Sequence, residues 1–187
     1  MYRDSSEYER IDKLAIDVYL DYGINSFPLD EQEICRKLGI SLVPYSAYED
    51  DRDLLLKKSL KGFMSPPFGN KKAIIFYNDD LRIMKSWGSV RQTIFHEIKH
   101  YVNEDYYEDD PEDDDLAEHF GRFFSCPTPY LVKHNITDVN EIISIFKVSS
   151  DVARYASSNV INRMKKYGKM VFDYEQPLID LLDNRSK

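Results

Sequence analysis

The segment TIFHEIKHYVNED, residues 93–105, sets two imidazoles and a carboxylate in the order His96, Glu97, two spacers, His100. On a helix, residues four apart lie one turn up the same face, about 40° apart. Two imidazoles so placed can converge on one Zn2+, while the intervening glutamate is turned toward a water on the cation rather than the cation itself. Zn2+ lowers the pKa of that water, and a carboxylate can take its proton as the oxygen attacks a polarised carbonyl. The spacing points to metal-assisted hydrolysis, with His96 and His100 as ligands and Glu97 as the general base. Helical phase agrees: Ile94, Phe95, Ile98, Tyr101 and Val102 fall within roughly 120° of one another, and the histidines lie off that apolar face.

A catalytic zinc takes three protein ligands and keeps a fourth position open. No third histidine is suitably positioned, so the remaining donor is sought among carboxylates, which crowd the run Glu104–Asp115, where nine of twelve residues are acidic. The following segment, DDLAEHFGRFFSCP, sorts them. Leu116, Phe120, Phe123 and Phe124 define an apolar helix face; Asp114, Glu118 and Gly121 fall together beside it, with Ala117 at the border. The small Ala117 and Gly121 favour close approach to the HEIKH helix. Asp114 is the candidate third ligand, and Glu118, one turn on, can bond the outer nitrogen of a ligand histidine. Glu112, Asp113 and Asp115 are alternatives without the same phase. His119 reads as a surface or boundary histidine, and His134 has no recognisable partner.

These residues need elements to hold them. EYERIDKLAIDVYLDYG has apolar residues at helical spacing and stops at Gly23; LDEQEICRKLGI pairs a possible Asp30 cap with Glu33 and stops at Gly39. ISLVPYS, SLKGFMS and AIIFYN read as three strands of one small sheet. AIIFYN is either an edge strand lining a cleft, able to take an extended peptide, or an ordinary core strand; its four consecutive apolar residues leave the choice open. AYEDDRDLLLKK has no clear assignment. The HEIKH helix opens after Ser89, the DDLAEHF helix ends at Pro127 and Pro129, and Thr137 and Ser149 or Ser150 cap two further helices. The fold class is α+β, with a short, about three-stranded sheet packed on the HEIKH helix. The division is a domain over residues 1–132 and a C-terminal helical extension over 133–187.

Hydrophobic content of 42% with 14 Tyr and 10 Phe fits a folded chain of 187 residues. The net charge of −8 is local: outside the acidic run the chain is nearly neutral. The run itself reads as a solvated loop rather than a calcium site. Residues 133–170 carry seven Lys/Arg against three Asp/Glu. FKVSSDVARYASSNVINRMKK has a superficial helix-turn-helix pattern, but so small a basic balance does not argue for nucleic-acid binding. Cys35 and Cys126 form no metal or disulfide framework and are expected to be buried apolar residues of a reducing compartment. No apolar run has the length of a membrane span and no signal peptide is visible, so the expected location is the cytoplasm.

HEIKH followed by DDLAEHFGRFFSCP resembles the ImmA/IrrE family of zincin-like zinc metallopeptidases, whose pattern is an HE(I/L)GH helix and then E-x-x-A-N/D-x-F-A ending in proline. Asp114 stands at the glutamate ligand, Ala117 and Phe120 match, Gly121 replaces alanine, Glu118 takes the Asn/Asp place and Pro127 closes the element. FPLDEQEICRKLGI resembles the family's proline-preceded helix ending in Leu-Gly-Ile, so the similarity spans most of the first 132 residues. Lys99 replaces the usual glycine; a cation facing solvent there would be harmless, whereas one packed inside would not. The resemblance implies a zincin-like core, Zn2+ as cofactor, and an endopeptidase whose substrate is a regulatory protein, a helix-turn-helix repressor of a phage or mobile element. The alternative is a non-catalytic zincin-like protein that regulates a repressor or partner by binding. The sequence leaves the oligomeric state open.

Overall fold

Residues 31–38 show how local chemistry sets element boundaries. The Asp30 side chain accepts from the Glu33 N–H at 2.9 Å and starts helix α2, Glu31–Leu38. Gly39 takes φ 77°, and Gly39 and Ile40 N–H donate back to the Arg36 and Cys35 carbonyls at 3.2 and 2.8 Å. This left-handed stop turns the chain into β1, Ser41–Pro44. The unassigned segment becomes a short helix α3, Arg52–Lys58. The expected three strands are present: β2, Gly62–Ser65, and β3, Ile74–Tyr77, complete a mixed sheet of order β1-β3-β2. β1 runs parallel and β2 antiparallel to β3, with Leu42 and Met64 both opposite Ile75. β3 is therefore the central strand, which rules out the edge role for AIIFYN. Its burial alternates, with Ile75 and Tyr77 inside and Ile74 and Phe76 half-covered.

The computed structural model describes residues 5–105 and 111–184, without the side chains of residues 5 and 111–113. It is α+β and mostly helical. The remaining helices are α1, Ser5–Asp21; α4, Leu81–Met84; α5, Trp87–Val102; α6, Pro111–Ser125; α7, Thr128–His134; α8, Val139–Phe146; α9, Ser150–Tyr167; and α10, Gln176–Asp183. Two compact units emerge, Asp30–Gly121 and Met1–Leu29 with Arg122–Lys187. This grouping by packing differs from the division at residue 132, because α1 packs with α10.

In the unit Asp30–Gly121, α5 packs against β2 and β3. Gly62 permits this: a Cβ there would lie 2.8 Å from both the Phe76 carbonyl oxygen and Thr93 Cγ2. α5 begins one turn earlier than expected, since the Ser86 side chain accepts from the Ser89 N–H at 3.2 Å. Glu31 ties α2 to α5, accepting from Trp87 Nε1 and Arg91 Nε at 3.0 Å each. Ile94, Phe95 and Ile98 are buried as their phase implies, while Tyr101 and Val102 are half-covered. Cys35 is free and buried here, and burial pushes its thiol up to about 12.

The other unit gathers Leu131, Ile142, Phe146, Val152, Ala156 and Val160 around buried Cys126. Tyr19 donates its hydroxyl to the Phe124 carbonyl at 2.5 Å. α8 is capped by Asp138 rather than Thr137, its carboxylate accepting from the Glu141 N–H at 2.9 Å; Ser149 caps α9. Arg163 clasps Glu175 through two hydrogen bonds of 2.6 Å, fastening α9 to the turn before α10. His134 has a partner after all, Asp183 Oδ1 at 3.0 Å from its Nε2. Among the described residues, no helix is long and apolar enough to cross a membrane.

Candidate metal centre

α5 brings His96 and His100 together with their Nε2 atoms 3.4 Å apart. From α6, Asp114 Oδ1 approaches His96 Nε2 to 3.1 Å. Two donors on a tetrahedral cation with bonds of about 2.0–2.2 Å stand roughly 3.3–3.6 Å apart, so the first separation matches such an edge and the second is slightly shorter. Both outer nitrogens face carboxylates. His100 Nδ1 donates to Asp105 Oδ1 at 2.9 Å. His96 Nδ1 lies 4.0 Å from Glu118 Oε2, within ion-pair reach but beyond a hydrogen bond. Glu118 thus stands near the nitrogen assigned to it without bonding it.

The α6 helix reaches this position because Gly121 has no side chain. A Cβ there would lie 2.7 Å from Gln92 Nε2, which donates to the Glu118 carbonyl at 3.2 Å. Leu116, Ala117, Phe120, Phe123 and Phe124 are buried, as the helical phase requires. Asp114 stays open, its side chain 74% exposed. Asp115 is exposed and His119 half-buried, while the side chains of the alternative ligands Glu112 and Asp113 lie outside those described. Among the described residues, no three His, Cys, Asp or Glu side chains are gathered tightly enough to form a closed metal-binding group.

Glu97 is buried beside the histidines. Burial pushes its carboxyl up to about 7, with Asp114 adding to the rise, against the opposing effects of His100, a backbone hydrogen bond from Met64 and Lys58. The same burial pushes His96 down to about 4, helped by His100 and opposed by Asp114 and Glu118. His96 is therefore a neutral imidazole at pH 7, the form that donates a lone pair. The Met64 contact gives β2 its part in the site. Lys61 O accepts from Asn78 N at 2.8 Å, so by alternation the polar groups of Gly62 and Met64 point away from β3. The edge beside Glu97 is β2, not β3.

From sequence alone Lys99 is open between solvent and interior, and Asp105 carries no assignment. Lys99 is fully buried, 0% exposed, and its ammonium donates to Asp105 Oδ2. Asp105, itself buried, also accepts from Asn103 Nδ2. Burial alone would raise the Asp105 carboxyl, but hydrogen bonds from His100, Lys99 and Asn103 outweigh it and hold it well below the usual carboxylate range. The signal was faint: a carboxylate five residues past the second histidine, hidden in a run of nine acids.

No family model, curated protein or solved structure matches the chain.

Proposed function

We propose that this chain is a zinc-dependent endopeptidase in which His96, His100 and Asp114 hold the metal and Glu97 is the general base. The observation that carries the reading is that His96 Nε2 stands 3.4 Å from His100 Nε2 and 3.1 Å from Asp114 Oδ1, beside a buried glutamate. Histidine and carboxylate donors of this kind suit Zn2+. When bound, the cation supplies a water of lowered pKa and polarises a carbonyl.

The residues contribute the rest. Asp105 holds the proton of His100 on Nδ1, leaving Nε2 as a donor toward the centre. Glu97, with a carboxyl raised to about 7, can take a proton at neutral pH and return it to a leaving amine. The Met64 N–H steadies that carboxylate, and the outward carbonyls of Gly62 and Met64 on β2 offer acceptors to an extended peptide, the Gly62 N–H being held by Ser59 Oγ. The resemblance to ImmA/IrrE peptidases supports a zincin-like core and, as substrate, a helix-turn-helix repressor of a phage or mobile element, cut to switch it off.

Co-expression with candidate helix-turn-helix repressors tests the reading. A repressor fragment should form with the wild-type chain and not with Glu97→Gln. Fragment formation at the wild-type rate with Glu97→Gln would refute the assigned base. The exposed Asp114 favours one second reading, a zincin-like protein that regulates its partner by binding. That reading predicts a stable complex with an intact repressor for both chains.

A further inference from the structure

The Lys99–Asp105 pair has no part in the motif that led to the site, yet it ends on a ligand. Lys99 leaves α5 between the two histidines' turns and is buried completely, a costly place for an ammonium unless a carboxylate meets it. The carboxylate that meets it does not use both oxygens on the lysine. Asp105 Oδ2 takes Lys99 and Asn103, while Oδ1 takes His100 Nδ1 at 2.9 Å. With Oδ2 held from two sides, Oδ1 has one orientation, in the path of the imidazole.

We infer that Lys99 and Asp105 are positioning residues: together they lock His100 in the Nδ1–H tautomer and aim its Nε2 at the metal, a role that rests on the zinc-site reading above. An ionised carboxylate can only accept, so a neutral His100 carries its proton on Nδ1 and its lone pair on Nε2. Lys99 makes this possible at low net charge. The Asp105 charge is matched by a buried cation, and the donor set keeps only the charge of Asp114 and the base. A glycine at position 99 would leave Asp105 without that partner.

The test compares the full-length protein with Lys99→Met/Asp105→Ala, which removes both buried charges and leaves neither unpaired. Zn2+ titration and long-range 1H–15N spectra of the metal-free imidazoles are read on the same samples. The wild type should bind one Zn2+ and show His100 in the Nδ1–H tautomer. The double variant should lose that tautomer and bind about 10–100-fold more weakly. Lys99→Met/Asp105→Asn, whose amide oxygen can still accept from His100 and whose shape is closer to native, should recover most of the affinity and serves if the first variant folds poorly. Wild-type binding with unchanged affinity in Lys99→Met/Asp105→Ala would overturn the positioning role while leaving the zinc site intact. A wild type that takes up no Zn2+ would overturn the site reading and this inference with it, whatever the spectra show.

Discussion

The two sides of the centre are built differently. On α5, His96, Glu97 and His100 belong to a helix buried against the sheet, and His100 is gripped by a carboxylate that is itself gripped by Lys99 and Asn103. On α6, Asp114 is 74% exposed and Glu118 stops 4.0 Å short of the nitrogen it faces. One side is preorganised by packing, and the other can adjust. If the proposed site holds zinc, geometry is set by α5, and Asp114 on α6 is the donor with room to adjust.

Substitutions on the rigid side should therefore cost most. Glu97→Gln should lower cleavage by roughly 10²–10⁴-fold while leaving Zn2+ bound, read as fragment formation against metal content. Asp105→Ala alone removes the carboxylate that the buried Lys99 ammonium donates to and should destabilise the fold by about 3–5 kcal/mol, measurable by denaturant unfolding. Its cost should exceed that of Lys99→Met/Asp105→Ala, since the double variant takes the buried cation away as well. Gly121→Ala probes the approach of the two helices. Its methyl would meet the flexible end of the Gln92 side chain, which can swing aside at the loss of its hydrogen bond to the Glu118 carbonyl, so a cost of about 1 kcal/mol or less is expected. Glu118→Gln should change Zn2+ affinity by less than about tenfold, because no hydrogen bond to His96 is lost. An effect as large as that of removing Asp105 would erase the contrast between the two sides.

The smallest effect lies outside the site. Partial burial pushes the Asp183 carboxyl up, but hydrogen bonds from Lys133 and His134 outweigh it and hold it low. A carboxyl lowered by folding stabilises the protein above its unfolded pKa, and that stabilisation is lost as pH falls through the folded value. Asp183→Asn should thus cost under about 1 kcal/mol at pH 7, given solvent screening, and progressively less below pH 4. A cost that grows toward low pH would contradict this sign.

Much of this was legible in residue type and phase. Spacing sets His96, Glu97 and His100 off the apolar side of a helix, and phase relative to Ala117 and Phe120 singles out Asp114, because one helix face must be apolar; the structure brings Asp114 Oδ1 to 3.1 Å from His96 Nε2. Asp30, Gly39 and Ser149 marked element ends because each has a backbone role that few residues fill. Burial and partner choice were not legible. β3 has apolar residues on both faces, so alternation could not show that it is central. Ser86 and Ser89 are equally good cap residues by type, and only the hydrogen bond to Ser89 N–H decides between them. Lys99 could face solvent, as most lysines do, or pack inside, and Asp105, the carboxylate its ammonium meets, stands among eight other acids.

In the proposed site, α5 and α6 together hold one zinc ion. Elemental analysis of the full-length protein purified without chelators tests it most directly, with His96→Ala prepared in parallel. One equivalent of zinc in the wild type and less than about a tenth in the variant is the predicted result, since two donors are too few for a structural or catalytic site. A wild-type protein that neither carries zinc nor takes it up, or equal zinc in both proteins, would contradict the claim.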